Sequence, residues 1–168
     1  MSYALILRDD NVWFLTNPTL AQYAYVDSFI SIPLNQWTHV VATYNGSQDP
    51  KIYINGVSVY VEHHGTTPSS LLSFTADASI GYDIDGDRWP FIGDIADVRI
   101  YNDVLSDSEI EYINNGGTSG ANPGTANLVN QWLLDEGEGL TVTDSGSGSN
   151  DGTLDGATWI ASDRPPSE

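Results

Sequence analysis

An Asn-Gly pair between two short β-branched runs admits few folds, and this chain carries one at Asn55-Gly56. Lys51–Ile54 and Val57–Val61 read as the arms of a two-residue β-hairpin. Both turn positions of such a hairpin need φ > 0, which Asn and Gly adopt at the least cost. A second Asn-Gly turn, Asn45-Gly46, closes the apolar run Trp37–Tyr44. Upstream, Tyr3–Arg8 and Val12–Thr16 flank Asp9-Asp10-Asn11, residues that tolerate left-handed geometry. Tyr23–Ile32 alternates, with Ala24, Val26, Ser28 and Ile30 facing one way and Tyr23, Tyr25, Asp27 and Phe29 the other. Leu71–Thr75, Ser79–Asp83 and Ile95–Tyr101 read as further strands. Short strands with frequent turns predict an all-β, antiparallel two-sheet jelly-roll sandwich.

One short helix interrupts the strands. Ser106-Asp107-Ser108-Glu109 is a capping box, and Leu105 and Ile110 stand at the positions of a hydrophobic staple. Gly116-Gly117 ends the helix, and a Gly-rich linker follows over 116–127. Beyond it, Leu128–Leu134 is a strand with Leu128, Trp132 and Leu134 on one face. Thr158–Ile160 is a last short strand, and 162–168 is a tail.

The chain's 168 residues suit one domain, and a 40% hydrophobic content is enough for a core. Lys and Arg number 5 against 23 Asp and Glu, a formal charge of −18. Such a surface repels phosphate backbones, so nucleic acid and anionic membrane are poor partners and neither is expected, and it draws divalent cations. The alternative is that the acidity only keeps a secreted or halotolerant protein soluble. Without cysteine the chain has neither disulfides nor thiolate chemistry. No stretch approaches the ~20 apolar residues of a membrane span, so membrane insertion is not expected. The start, Met1 to Arg8, lacks a basic region and does not read as a signal peptide.

The run Gln36-Trp37-Thr38-His39-Val40-Val41-Ala42-Thr43-Tyr44-Asn45-Gly46, with Ile52-Tyr53-Ile54-Asn55-Gly56, resembles the central hairpins of laminin-G-like jelly-roll domains. Phe91 to Asn102, followed by Leu105-Ser106 and Glu109-Ile110, is similar to the closing strand and helix of that family. The resemblance implies a concanavalin A-like fold whose ligand sits on a loop edge or the concave face. The order differs, because a segment like the family's opening one, Leu128–Trp159, here stands last. The family's Phe-Asp-Gly turn and Ala-Trp strand have no clear counterpart. Either the domain is permuted, or the chain spans the end of one repeat and the start of the next. Residues 1–115 would then carry the central and closing strands, with 128–161 completing the same sandwich. A strand-swapped homodimer is the alternative, eased by the linker.

Calcium takes roughly six to eight oxygens, and the Gly-rich loop Asp144–Gly152 offers carboxylates, an Asn amide and carbonyls. Resemblance to the family implies a structural Ca2+ held by Asp144, Asn150 and Asp151, with Asp97 of the closing strand opposite. The alternative is a solvated Asx-rich turn without an ion. Asp83-Ile84-Asp85-Gly86-Asp87 is not an EF-hand, since Gly86 comes early and Asp94 stands where Glu is needed. Asp85 and Asp87 remain candidates for a ligand-contacting or second cation loop, or an exposed acidic loop. Alternating carboxylates there and at Glu136 and Glu138 resemble glycosidase pairs, but Gly86 and Gly137 break the strands such pairs need.

Trp89, beside Asp87, Arg88 and Pro90, is the candidate sugar-stacking ring, with capping of the core edge as the other reading. Tyr25 joins the ligand set through an aromatic strip with Tyr23, which cross-strand packing explains equally well. Trp37 and Trp132 are read as packing, His39 as a satisfied interior residue, and His63 and His64 as solvent-facing. The expectation is a non-catalytic, calcium-assisted module for a glycan or glycoprotein, extracellular or at the cell surface. A structural or adhesive repeat without a small ligand is the alternative, and a glycoside hydrolase stands well behind both.

Overall fold

The computed structural model describes residues 3–19, 22–46, 49–70, 77–82, 90–117, 120, 122–124 and 127–160, the side chains of 17–19, 22 and 23 excepted. The chain divides into two compact units, Met1–Phe91 and Ile92–Glu168. It is an all-β sandwich protein of antiparallel sheets with one short helix.

In the first unit β1 (Tyr3–Arg8) and β2 (Asn11–Thr19) pair through a turn in which Asp9 and Asp10 both take positive φ, at 51° and 64°. β3 (Gln22–Ser31) pairs with β2. β4 (Val40–Thr43), β5 (Lys51–Ile54) and β6 (Val57–Val59) form a second sheet in that order. Its β5–β6 hairpin turns on Asn55 and Gly56 at φ 51° and 78°, the left-handed pair that the sequence demands. The run expected as one strand over Val57–Val61 is in fact split. The chain leaves the second sheet at Val59 and joins the first as β7 (Glu62–His64), pairing Tyr25 with His64 and Asp27 with Glu62.

The core lies between these sheets. Val12, Phe14 and Val26 from the first sheet form one cluster with Ile52 from the second, and Val40, Ala42, Tyr44, Ile54 and Val59 pack around it. Along β3 Ala24, Val26 and Ser28 are all buried, and beyond Ser28 the alternation is lost. Phe29 takes φ 51°, and the pairing with β2 shifts register between Asn11 and Trp13. Buried Ser28 accepts a hydrogen bond from the Val12 amide at 3.1 Å, filling the gap the bulge opens in the ladder. Ile30, expected on the same face as Ala24, Val26 and Ser28, is exposed as a result.

In the second unit β8 (Val98–Tyr101) is shorter than the expected Ile95–Tyr101, because Asp97 sits at φ 52°. α1 (Asp107–Asn114) begins at the capping box: the Ser106 amide donates to Glu109 Oε2 at 2.7 Å, and the Glu109 amide donates to Ser106 Oγ at 3.3 Å. Leu105 and Ile110 of the staple are both buried. Part of the expected linker lies on the helix. A Cβ on Gly120 would collide with the Ser108 carbonyl, and Asn122 Nδ2 donates to the Tyr112 hydroxyl at 3.1 Å.

β9 (Leu128–Trp132) pairs with β8 of the same chain, Val98 opposite Trp132 and Arg99 opposite Gln131. Leu134, at φ 60°, stands beyond the strand's end. β10 (Thr141–Val142) and β11 (Gly152–Thr153) form a small hairpin. Thr158–Ile160 is not a strand, although Trp159 Nε1 donates to the Gly139 carbonyl at 2.8 Å. The strand expected at Leu71–Thr75 falls outside the described residues.

Ile52 has no exposed surface, so Ile52→Ala should cost about 2–5 kcal/mol by denaturant titration. An unchanged midpoint would place the core elsewhere.

Candidate functional site

Of the five expected ligand residues, Asp85, Asp87, Arg88 and Trp89 lie outside the described residues, and Tyr25 lies within them. Strand alternation turns Tyr25 away from the core. Its ring stacks on Trp13 of β2, with centroids 4.4 Å apart and planes 7° off parallel. On its other face the ring stacks on His64 of β7 at 4.3 Å and 14°. The Arg8 guanidinium caps the row at 4.6 Å from the Trp13 ring. The row thus runs across four strands of one sheet, on the face opposite Val12, Phe14 and Val26. Trp13, Tyr25 and His64 are all half-buried.

His64 Nε2 lies 3.8 Å from Glu62, and His63 Nδ1 lies 3.8 Å from Asp49. His64 was read as solvent-facing. The structure instead makes it the end of the aromatic row, since β7 pairs with β3. The partnership of Arg8, Trp13 and His64 with Tyr25 is not legible locally, because the row depends on register across four strands. The available signal was that Trp13 has the opposite parity to Val12 and Phe14.

In the second cluster Asn150 and Asp151, two of the expected metal ligands, bond to Asp144, and Asp97 is joined to it through Gln131. Asp144 is buried, 7% exposed, and its carboxylate accepts four hydrogen bonds. Oδ1 receives the amides of Gln131 at 2.8 Å and Gly146 at 2.9 Å. Oδ2 receives Asn130 Nδ2 at 2.5 Å and the Asn150 amide at 2.8 Å. The Asp144 amide in turn donates to Asp151 Oδ1 at 2.9 Å. Asp97 is held by Arg99 through two bonds of 2.8 Å, and Gln131 Nε2 donates to it at 3.1 Å. Gln131 therefore bridges the two carboxylates, with its backbone on Asp144 and its side chain on Asp97.

Burial alone would raise the Asp144 pKa. The bonds from Asn150, Gln131, the Asn130 side chain and Gly146 outweigh it and hold the carboxyl at about 2. Burial alone would lower the Arg99 pKa, but Asp97 outweighs that and raises it.

These residues do not fit a calcium ion as they stand. A carboxylate has about four lone-pair directions, and N–H groups take all of them on Asp144. Among the described residues no group of three or more His, Cys, Asp or Glu is placed to hold a metal. Asn130, Gln131 and Arg99 are the residues the sequence reading passed over. Their signal was a polar pair inside the apolar run Leu128–Trp132, with Asn130 buried between Leu128 and Trp132.

Residues 2–111 match a laminin-G-type family model described as the concanavalin A-like lectin/glucanases superfamily. No curated protein and no solved structure matches the chain.

Because the folded pKa of Asp144 lies below the ordinary 3.8, its bonds stabilise the fold above about pH 4 and are lost as pH falls toward 2. Asp144→Asn should lower stability at neutral pH by about 2–3 kcal/mol and flatten the acid limb between those values. Acid titration followed by circular dichroism reads both, and an unaltered acid limb would contradict the assignment.

Proposed function

This chain belongs to the concanavalin A-like lectin/glucanases superfamily, and on that premise we propose that it is a non-catalytic recognition module for a glycan or glycoprotein at the cell exterior. The observation that carries the reading is the Arg8–Trp13–Tyr25–His64 row. Tyr25 has both ring faces covered, whereas among the described residues the outer face of Trp13 is covered by Arg8 alone, a side chain 61% exposed. An exposed cation–π contact is worth about 0.5–1 kcal/mol, so Arg8 swings aside readily. A pyranose can then lay its apolar face on the indole, with Arg8 free to donate to its hydroxyls. A net charge of −18 favours neutral glycans over sulfated or uronate ones.

Among the described residues no helix is long and apolar enough to cross a membrane.

One observation favours an adhesive role beside this one. β1 is an edge strand without charge from Tyr3 to Leu7, and Tyr3, Leu5 and Leu7 are 42%, 46% and 43% exposed. Such an edge is a template for another strand. Light scattering during size exclusion should then show association that Leu5→Lys abolishes, and a monomer at all concentrations would remove this second role.

For the glycan reading, an array of neutral oligosaccharides should give binding that Trp13→Ala weakens about tenfold, with the melting temperature checked in parallel. No bound glycan, or binding indifferent to Trp13→Ala, would overturn it.

A further inference from the structure

The segment Asp144–Asn150 does more than surround one carboxylate. Its backbone lies along the outer edge of β9, whose other edge is taken by β8. The Ser145 amide donates to the Gln131 carbonyl at 2.8 Å, the Gly148 amide to Val129 at 2.6 Å, and the Ser147 amide to Leu128 at 3.3 Å. Two serine hydroxyls add to this, Ser147 Oγ donating to the Leu128 carbonyl at 2.9 Å and Ser145 Oγ to the Gln131 carbonyl at 3.2 Å. The alternation of serine and glycine follows from that placement. A Cβ on Gly146 would collide with the Val129 carbonyl, and one on Gly148 would stand 2.6 Å from Asn130 Nδ2. Serine supplies hydroxyl donors at the positions between.

We infer that Asp144–Asn150 is a metal-independent clasp that seals the free edge of β9, with N–H donors filling the places where the family resemblance implies a cation. Three features make an ion unnecessary. The Asp144 charge is met by four N–H bonds, three from backbone amides and one from Asn130. At the neighbouring carboxylate, Asp97, the Arg99 guanidinium supplies the positive charge. The loop amides that close the clasp point at β9 carbonyls, so the segment's polar groups are spent on the strand. Trp132 Nε1 pins the far end by donating to the Asn150 carbonyl at 2.9 Å. The carboxylates in reach of the clasp are Asp97, Glu136 and Asp151; Glu136 Oε1 accepts the Thr143 amide at 2.7 Å. No covalent step is involved, and the clasp acts by occupying an edge that would otherwise pair with another strand.

The test uses the full chain with calcium chloride as the probe. Scanning calorimetry in EDTA and at millimolar calcium should give the same melting temperature, and isothermal titration should show no calcium heat. A ligand at about 100 times its Kd would stabilise the native state by about 2.7 kcal/mol, a shift of several degrees that could not be missed. Such a rise, or melting brought on by EDTA, would overturn the inference. Gly146→Ala reads the strap itself. It should lower the melting temperature by at least about 5 °C, equally with and without calcium. An unchanged melting temperature would overturn the close approach to β9. Asn130→Asp replaces a donor with a second carboxylate, and this variant alone should gain stability on adding calcium. If it is indifferent to calcium while the parent chain responds, the clasp is a cation site.

Discussion

A buried carboxylate with four lone pairs has to find four donors or lose its charge, and the second unit is arranged around that requirement. Asp144 draws two donors from β9, the Asn130 side chain and the Gln131 amide, and two from its own loop, the Gly146 and Asn150 amides. Those bonds place the loop beside β9 and let its remaining amides reach the strand's carbonyls. The same register sets Gln131 opposite Arg99, so the Asp97–Arg99 pair falls next to the clasp. Remove the carboxylate, and Asn130 is left as a buried amide without its partner. Local chemistry, strand pairing and edge protection here depend on one side chain.

In the first unit the governing constraint is strand parity. Val12 and Phe14 point into the sandwich, so Trp13 between them points out, and Tyr25 and His64 follow because β3 and β7 are paired at those positions. The aromatic row therefore inherits its rigidity from the core on the opposite face. A substitution in the core that altered the β2–β3 register would move the rings as surely as one in the row. The bulge at Ser28-Phe29 confines the row, since beyond it the strand no longer presents Tyr25's face.

Features governed by a few neighbouring residues were legible in the sequence. Asn55-Gly56 turns as its φ preferences require, and Ser106 and Glu109 cap the helix reciprocally. The resemblance drew attention to Asp144 and its loop, where Asn150 and Asp151 bond to it. What was not legible depends on partners distant in the chain. Oxygen-rich composition marks Asp144 as important, yet Asn130 and Gln131, in another strand, decide which groups its lone pairs meet. Val57–Val61 reads as one strand because nothing local to Val59 says that the chain changes sheets there. His64 looks like a loop residue until β7 is laid beside β3.

Backbone amide exchange reports on the central interaction directly. The amides of Gln131, Gly146, Gly148 and Asn150, followed by NMR in EDTA, should exchange slowly and at one common rate, because all four donate within a single set of bonds around Asp144 and β9. Adding calcium should leave that rate unchanged. Exchange at the speed of an open glycine loop, or protection that emerges only with calcium, would contradict a clasp built on Asp144 and N–H donors.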